Sequence, residues 1–525
     1  MWDGQRFQHF DGDGRDLIQY LKTRHAVVYA HNGGKFDFVF VADQLEPWTQ
    51  IRMINNRMGA FKIGGSIYRD SYLILPTRLS SYKKDDFDYA LMEKGVRDRP
   101  EVRAQILEYL KNDCIYLHEL VSKFRLAYGS QLTLASSGLK FFREQSGVKI
   151  PKTSRLFYET FKPFYHGGRV SVFRPGVFED KKIFFYDLNS QYPFAMKSFH
   201  PWGEGTETWD GVLPPPGEIE RSFITLEARS TGVFAISDKG TTDFPGDGEI
   251  RAFNITGWEY LAARDTGFLK DCRIIRSITF RERIEFNDYV DHFFEIKKNA
   301  PEKSAERLFA KLFLNTLYGK MSADPSRYFT YFVVPENEFQ AIEAGRVEGF
   351  EGFTLDKKIA DGLVLMKRPL EETQQRYYNV ATGASITGMG RSLLWRGLCS
   401  AICPYYCDTD SIACDGFRET IGTNIGEWKI EGPQNGQGYW KRGAFAGKKL
   451  YALHDGVTRW GQFDPKTGEP IGWKLATKGV SPREFGGPNV FRVANGETVE
   501  HFKNSPSISL RGGIKFTSRN IKKTV

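Results

Sequence analysis

Two acidic residues separated by a single position are the first feature of the sequence that could carry chemistry. The stretch YYCDTDSIAC (405–414) places Asp408 and Asp410 on either side of Thr409, between two apolar runs of β-prone residues. This pattern predicts a β-hairpin that presents both carboxylates at its turn. A simple acidic surface turn would explain the pair, because Asp side chains bond their own backbone in turns. A bound divalent cation such as Mg²⁺ would also explain it, since hard cations take carboxylate oxygens.

A third acid ends an apolar strand earlier in the chain. In FFYDLNSQYPFAM (184–196), Asp187 follows three strand-like residues, and Ser190 stands where a helix could be capped. An acid at the end of a strand and beside the start of a helix is well placed to meet the hairpin acids across a sheet. On local grounds alone, a capping or turn role for Asp187 remains an alternative.

The stretch ERLFAKLFLNTLYGKM (306–321) predicts an amphipathic helix that ends near Gly319. One arc of this helix is apolar and consists of Leu308, Phe309, Leu312, Phe313 and Leu317. The opposite arc consists of Arg307, Lys311, Asn315 and Tyr318. Solvation would explain that polar face. The same polar face would also suit a nucleoside triphosphate, with the phosphates on the two cations and the base against the tyrosine ring.

The remaining pattern predicts the elements that would position these side chains. Periodicity predicts strands at both ends of the chain and an amphipathic helix over 101–127. Proline- and glycine-rich composition predicts loop-rich or irregular segments between the motifs. The predicted segments are a strand, a turn and an apolar run over 26–42, a strand over 66–75, a loop-rich stretch over 201–290, a long helical stretch over 288–320, an irregular stretch over 322–380, and a helix over 388–400.

Composition limits the classes that the chain could belong to. Its 525 residues predict two to four subdomains, and its net charge of +9 suits a polyanionic partner. No run of 18 apolar residues and no signal peptide is visible, so a membrane span is not expected. Six cysteines fit a reducing compartment. Cys399, Cys403, Cys407 and Cys414 cluster, but their spacing matches no zinc pattern, which favours buried thiols.

Three segments together resemble family B DNA polymerases. DLNSQYP (187–193) is similar to the family's first palm motif, D-x-x-S-L-Y-P, with Gln191 in place of the usual Leu. KLFLNTLYG (311–319) resembles the fingers motif K-x3-N-S-x-Y-G, with Thr316 in place of Ser. YCDTDS (406–411) resembles the second palm motif, usually Y-G-D-T-D-S. The motifs also occur in the family's order. The resemblance implies DNA-directed nucleotidyl transfer.

Further segments resemble the protein-primed branch of phages, adenoviruses and linear plasmids. YHGG (165–168) resembles the Y-x-G-G linker, KKLY (448–451) the K-x-Y motif at the primer end, and ITGMGR (386–391) a segment of this branch. Members carry two insertions, which would fall on 201–290 and 322–380. The resemblance therefore implies a terminal protein as priming partner. A primer-independent or nucleic-acid-primed family B polymerase is the main alternative.

The resemblance also implies a role for each site residue. Asp187 and Asp410 would bind two Mg²⁺ ions, with Mn²⁺ as an alternative, and Asp408 would support them. The incoming dNTP would contact Leu188, Tyr192, Lys297, Arg307, Lys311, Asn315 and Tyr318. The primer and template would contact Tyr165, Gly167, Gly168, Arg391, Thr409, Lys449, Tyr451 and Lys478. The basic C-terminal third, including Lys474, would grip the duplex backbone.

An exonuclease resemblance covers the N-terminal region. HNGGKFD (31–37) resembles the second exonuclease motif and supplies Asn32, Phe36 and Asp37, while YLKND (109–113) resembles the third and supplies Tyr109 and Asp113. The first motif, D-x-E, is not found upstream of Asn32. The acids there are Asp3, Asp11, Asp13 and Asp16, and Asp247-Gly248-Glu249 reads as a turn. We therefore expect an N-terminally incomplete exonuclease domain, through a late start or genuine loss, with impaired activity.

The expected fold is a multidomain α/β and α+β chain. An RNase H-like 3′–5′ exonuclease domain would precede a right-hand polymerase with palm, fingers and thumb. The expected segments are 1–150 (exonuclease-like), 151–290 (linker, first palm part and first insertion), 291–321 (fingers), 322–385 (second insertion), 386–445 (second palm part) and 446–525 (palm end and thumb).

The expected context is a monomer that acts on primer–template DNA in the cytoplasm of a host cell, encoded by a virus or linear element. Two alternatives from other classes are a polymerase relic that only binds DNA and a protein that is chiefly a nuclease. Intact Asp187, Asp408 and Asp410 argue against the relic. The incomplete N-terminal motif set argues against the nuclease.

Overall fold

The structure is a computed structural model. It describes residues 1–12, 14–238, 240–464, 468–509 and 513–524, with the backbone alone described for 503–509 and 513–519. Asp13 and parts of the predicted thumb segment therefore lie outside the described residues. The chain divides into two compact units. The first is built mainly from Met1–Ile150 and Asp291–Arg376, and the second mainly from Pro151–Val290 and Tyr377–Ser505.

Fourteen helices are numbered in chain order through the described residues. They are α1 (Arg15–Lys22), α2 (Asp37–Phe40), α3 (Pro100–Tyr128), α4 (Leu134–Ser146), α5 (Arg155–Phe161), α6 (Gln191–Met196), α7 (Gly257–Asp265), α8 (Asn287–Asn299), α9 (Ala305–Leu314), α10 (Leu317–Met321), α11 (Phe339–Glu343), α12 (Val380–Ser400), α13 (Pro482–Phe485) and α14 (Gly487–Ala494).

Twenty-six strands are numbered in the same way over the described chain. They are β1 (Val27–Ala30), β2 (Gln50–Ile54), β3 (Arg57–Ile63), β4 (Ser66–Asp70), β5 (Val170–Val172), β6 (Gly176–Phe178), β7 (Phe184–Leu188), β8 (His200–Asp210), β9 (Ser222–Arg229), β10 (Ile236–Asp238), β11 (Thr241–Asp243), β12 (Ile250–Thr256), β13 (Arg273–Ile284), β14 (Phe329–Pro335), β15 (Thr354–Ala360), β16 (Leu363–Pro369), β17 (Ala401–Ile402), β18 (Tyr406–Asp408), β19 (Ser411–Cys414), β20 (Gly416–Phe417), β21 (Trp428–Ile430), β22 (Arg442–Gly447), β23 (Leu450–His454), β24 (Trp473–Thr477), β25 (Val499–Ser509) and β26 (Gly513–Lys523).

The first unit is organised around a seven-stranded sheet in the order β1-β4-β3-β2-β14-β16-β15. Strands β1 and β4 pair in parallel, and the other pairs are antiparallel. The prediction of an irregular stretch over 322–380 is wrong, because β14, β15 and β16 come from it. Strand β14 pairs with β2, far away in sequence, so no local pattern announces it. The helix predicted over 101–127 is confirmed as α3.

The second unit contains the sheet that carries the acidic motifs. Its five strands run in the order β21-β7-β19-β18-β5, and all of these pairs are antiparallel. A four-stranded sheet in the order β12-β9-β13-β8 occupies much of the stretch 201–290, so the prediction of a loop-rich segment there is wrong. Helix α12 packs against the core of this unit and is almost wholly buried. It begins eight residues earlier than the helix predicted over 388–400.

The long helical stretch predicted over 288–320 is divided into α8, α9 and α10. Pro301 follows α8 and lacks the N–H that a continuing helix needs. A second break falls at Thr316, whose hydroxyl bonds the carbonyl of Leu312 at 2.6 Å. Gly319, predicted as the end of a helix, lies inside α10. The polar arc predicted for one continuous helix is therefore spread over two helices and the turn between them.

Within the part of the chain that the structure describes, no helix has the length and apolarity to cross a membrane. All six cysteines are free thiols, and no group of His, Cys, Asp or Glu among the described residues is arranged to hold a metal on its own. Of the four clustered cysteines, Cys407 and Cys414 are buried while Cys399 and Cys403 are exposed. The expectation of buried thiols is therefore correct for two of the four.

Candidate active site

The predicted hairpin is present and is joined to the strand of Asp187. Strands β18 and β19 pair antiparallel, and Ser411 of β19 lies directly opposite Asp187 of β7. The backbone N–H of Leu188 donates to the carbonyl of Asp410 at 2.7 Å. Thr409 forms the turn with a left-handed backbone (φ 59°). Strand pairing therefore brings Asp187 and Asp410 together although they are 223 positions apart (410 − 187).

Burial and mutual repulsion disfavour the charged forms of Asp187 and Asp410. Burial, followed by the charge of Asp187, raises the pKa of Asp410 to about 7. Burial also raises the pKa of Asp187, while the ammonium of Lys429 acts against that rise. Two partly buried carboxylates that repel each other favour either protonation or a bound cation. Their oxygens are the donors that Mg²⁺ prefers, so this pair fits a divalent-metal site.

Asp408 has different partners from the other two acids. Its carboxylate accepts a hydrogen bond from the Tyr406 hydroxyl at 3.2 Å and from the Thr409 hydroxyl at 3.0 Å. It also lies 3.4 Å from the ammonium of Lys449. Asp408 therefore stabilises the hairpin and holds Lys449. A supporting place beside the acid pair stays a prediction.

Two charged residues that the sequence did not single out, Lys429 and Glu431, link Asp187 to Lys474. Lys429 lies directly opposite Asp187 in the β21–β7 pair, and its ammonium is 3.0 Å from the Asp187 carboxylate and 3.1 Å from that of Glu431. Glu431 also pairs with Lys474 at 2.7 Å. Lys474 therefore has an acidic partner within the protein, which differs from the role of backbone contact predicted for it. Only the strand register could have revealed this chain of charges.

The end of β7 and the start of α6 place two predicted nucleotide contacts, Leu188 and Tyr192, near the acids. Tyr192 is half-buried, and its ring lies so close to Gly390 of α12 that a Cβ on Gly390 would be 3.0 Å from it. Leu188 is buried, and its backbone N–H is already bound to Asp410. A contact of Leu188 with nucleotide would therefore have to use its carbonyl group.

The predicted YHGG linker packs against the turn of the acidic hairpin. The carbonyl of Arg169 accepts a hydrogen bond from the N–H of Thr409 at 2.7 Å. A Cβ added to Gly168 would lie 2.7 Å from the Thr409 hydroxyl oxygen, whereas one on Gly167 would meet nothing within 4 Å among the described residues. Tyr165, at the start of this linker, packs against an aromatic cluster. Gly168 is therefore required by close approach to the turn.

Arg391, predicted as a primer or template contact, has partners within the protein. Its guanidinium is buried, donates to Glu259 at 2.8 Å, and donates to the backbone carbonyls of His166 and Gly167. Arg391 ties α12 to the linker in this structure, and a contact with DNA stays a prediction.

The predicted primer-end residues surround the hairpin. Lys449 has a left-handed backbone (φ 58°), and its N–H donates to the Tyr406 hydroxyl at 3.2 Å. Tyr451 is buried, which raises its pKa, and its ring packs on Tyr406 with centroids 4.8 Å apart. Lys478 is exposed, and its N–H donates to the carbonyl of Lys449 at 2.8 Å. Lys449 and Lys478 thus lie next to each other in the connections just before β23 and just after β24, with the Lys449 ammonium paired with Asp408.

The predicted triphosphate contacts lie in the first unit. Lys311 and Asn315 are exposed, and Lys297 and Tyr318 are half-buried. Arg307 differs from its prediction, because its guanidinium donates to the carbonyls of Lys297 and Ala300 at the end of α8. Those carbonyls would otherwise lack partners at a helix terminus. Arg307 therefore stabilises this helix end in the structure.

The second exonuclease motif forms a compact polar cluster. Asn32 has a left-handed backbone and accepts a hydrogen bond from Arg57 at 2.9 Å. Arg57 also pairs with buried Asp70 at 2.8 Å. Asp37 begins α2, and burial raises its pKa. Arg57 and Asp70 were not predicted, because they lie on β3 and β4 and not in the motif itself.

The third exonuclease motif lies on α3. Burial raises the pKa of Asp113, and the Tyr109 ring stacks on Phe87 with centroids 4.4 Å apart. The Tyr109 hydroxyl lies 3.0 Å from that of Tyr89. Phe36 of the second motif has 44% of its surface exposed, which leaves its ring available for stacking. The nuclease roles of these residues stay predictions.

One comparison of glycine variants tests the packing of the linker on the turn. Replacing Gly168 by Ala forces the Thr409 side chain to move, and overpacking of this kind costs about 1–3 kcal/mol of folding free energy. We expect a lower melting temperature and slower incorporation for Gly168→Ala. Gly167→Ala is the matched control and should keep the wild-type melting temperature. Equal melting temperatures for the two variants would contradict the close approach.

Comparison with known proteins gives consistent matches. Residues 82–354 match the family described as DNA polymerase type B, organellar and viral. The DNA-directed DNA polymerase of Enterobacteria phage PRD1 is 35% identical over 552 aligned positions, which cover 100% of this chain and 94% of that protein. The DNA polymerase of Bacillus phage PZA is 25% identical and covers 85% of this chain and 77% of its own length.

A solved structure shares the fold. Phi29 DNA polymerase complexed with single-stranded DNA aligns with a TM-score of 0.68 and 20% identity, over 97% of this chain and 93% of that one. The predicted arrangement, an exonuclease-like domain followed by a right-hand polymerase of mixed α/β structure, is therefore confirmed at the level of fold.

Proposed function

Because the chain belongs to the organellar and viral type B DNA polymerases and is a DNA-directed DNA polymerase of the phage type, we propose that Asp187 and Asp410 carry its nucleotidyl transfer. The observation that supports this assignment most directly is the pairing of β7 with β19. That pairing holds two partly buried, mutually repelling carboxylates next to each other at the end of one sheet.

The protein's own groups would prepare the reaction in three ways. Asp187 and Asp410 would hold two divalent cations, which, when bound, activate a primer hydroxyl and stabilise the leaving pyrophosphate. Lys449, fixed by Asp408 on one side of the hairpin, would bind the backbone of the primer end. Tyr192, against α12, would restrict the space beside the sugar and so select deoxyribonucleotides. Lys311 would neutralise the triphosphate.

The partners would be primer–template DNA, dNTPs and a terminal protein whose side-chain hydroxyl starts synthesis. Phi29 polymerase has been solved with primer–template DNA and incoming nucleotides, and the shared fold supports the same kind of substrate here. Membership of the phage-type branch supports the priming protein. Because related proteins are encoded by phages, we place this activity in the cytoplasm of the host cell.

A start-site assay distinguishes protein priming from its alternatives. On a linear template without any oligonucleotide, the purified polymerase alone is expected to make no product. Addition of the terminal protein encoded with it should give a labelled product that a protease shifts on a gel, because the first nucleotide is then joined to protein. Synthesis on bare template without primer or protein would favour the primer-independent branch.

The exonuclease-like domain is proposed to hydrolyse DNA weakly. Two of the family's carboxylates are assigned, Asp37 and Asp113, and the nearby acid Asp70 is neutralised by Arg57. We expect little degradation of a 3′-labelled single strand with Mg²⁺ or Mn²⁺. The Asp37→Ala and Asp410→Ala variants are the matched comparison. Strong degradation that persists in Asp410→Ala and stops in Asp37→Ala would show that a further carboxylate completes the site.

A further inference from the structure

Gln191 occupies the position at which the first palm motif usually has Leu. It is the first residue of α6, and 2% of its surface is exposed. Its side-chain nitrogen donates two hydrogen bonds of 2.9 Å, one to the carbonyl of Thr409 and one to the carbonyl of Gly390. Thr409 is the residue between the two hairpin acids, and Gly390 lies in the middle of buried α12.

The orientation of the Gln191 amide follows from its neighbours. Both groups that it meets are carbonyl oxygens, which accept hydrogen bonds and cannot donate them. The nitrogen must therefore face them, because an amide carries both of its donors on that atom. Its oxygen is buried and has no hydrogen-bond partner among the described residues. The protein tolerates one unsatisfied acceptor at this position while both donors are used.

The catalytic turn is consequently fixed on both faces. On one face, the N–H of Thr409 donates to the carbonyl of Arg169 in the linker. On the other, the carbonyl of Thr409 accepts from Gln191. A leucine at position 191 would supply no donor, and the Thr409 carbonyl would lose this bond. Because Thr409 adopts a left-handed backbone, its peptide orientation sets the direction in which Asp410 leaves the turn.

We propose that Gln191 is a positioning residue that clamps the Thr409 carbonyl to α12 and thereby fixes the Asp410 carboxylate relative to Asp187. This inference rests on the proposed function of those two acids. Gln191 itself is buried and bonds the carbonyl of Thr409, so its effect on the reaction would pass through the turn. The amide replaces the apolar contact expected at this position of the motif with a directional one.

The test compares Gln191→Leu and Gln191→Met with the wild type in single-turnover incorporation of one nucleotide. Both variants remove the two donors, and Met keeps the length of the side chain. We expect the maximal rate to fall at least about 10-fold, because displacement of a reacting group by a fraction of an ångström is costly. The KM for dNTP and the Kd for primer–template should stay within about twofold of the wild-type values. The melting temperature should stay within a few degrees of that of the wild type.

Ser392→Ala is the matched control. Ser392 is also buried in α12, and its hydroxyl donates to the carbonyl of Gly388 at 2.8 Å, within its own helix. Its maximal rate should equal that of the wild type. Unchanged maximal rates in both Gln191 variants would overturn the proposal. It would also be overturned if DNA affinity and melting temperature fell together with the rate, because Gln191 would then serve the folding of the protein in general. An inactive wild type would instead contradict the proposed function.

Discussion

The Asp410→Asn variant is expected to lose template-directed incorporation by at least about 10³-fold in maximal rate. Asparagine has nearly the size of aspartate but no charge, so the pairing of β18 with β19 should survive. The acid pair would lose the charge that favours a bound cation. Since that charge acts on the reacting groups, the loss should appear in the rate rather than in substrate affinity.

The measurement is rapid-quench extension of a labelled primer by one nucleotide, with primer–template Kd determined in parallel. Asp415→Asn is the matched control, because Asp415 follows the same hairpin and accepts a hydrogen bond from the Tyr405 hydroxyl at 2.5 Å. It should incorporate nucleotide at nearly the wild-type rate. Near-normal incorporation by Asp410→Asn would contradict the assignment of Asp187 and Asp410 as the catalytic pair.

Glu259→Ala is expected to destabilise the protein by about 3–5 kcal/mol, because it leaves the buried Arg391 charge without its partner. Burial alone would raise the pKa of Glu259, but the charge and hydrogen bond of Arg391, together with His166 and the backbone N–H of Thr256, lower it overall. The same carboxylate accepts from the backbone and hydroxyl of Thr256 at the start of α7. One substitution therefore removes an ion pair and a helix cap.

The destabilisation can be measured as the shift in urea midpoint and melting temperature. Glu227→Gln is the matched control. It breaks a strand-to-strand pair with Arg273 whose side chains are 39% and 70% exposed, and such pairs contribute about 0.2–1 kcal/mol. A Glu259→Ala protein with the stability of the control would show that the Glu259–Arg391 pair does not hold α7 and α12 together.

Local sequence was sufficient for the hairpin and for the strand of Asp187. Both depend on short β-prone runs next to residues that favour turns, and nearby backbone geometry decides such features. The prediction that Asp187 and Asp410 lie together rested on the order of motifs in a known family. Physical reasoning on either segment alone left the surface turn and the capping role open.

Features that depend on distant partners could not be read from the sequence. Lys429 faces Asp187 only because β21 pairs with β7 in one register, and a shift by one residue would turn its side chain to the other face. Arg391 is buried because Glu259, 132 positions away, provides a compensating charge. The ion pair of Arg391 with Glu259 was not predicted for this reason.

The insertions show the same limit. The stretches 201–290 and 322–380 carry many turn residues, which indicated loops. In the structure they contain long antiparallel strands, and β14 lies between β2 and β16 in the seven-stranded sheet. Strand pairing across such distances is set by burial in the folded unit, and turn-rich composition marks only the connections between the strands.

The most direct test of the central claim is single-nucleotide addition by the wild type on four duplexes that differ only in the templating base. With Mg²⁺ present, the account predicts that only the complementary dNTP is added efficiently on each duplex. Chelation of the cation should abolish addition, and Asp187→Asn should abolish it without loss of duplex binding. Addition of the same nucleotide whatever the template base, or full activity in Asp187→Asn, would contradict the claim that this acid pair performs template-directed synthesis.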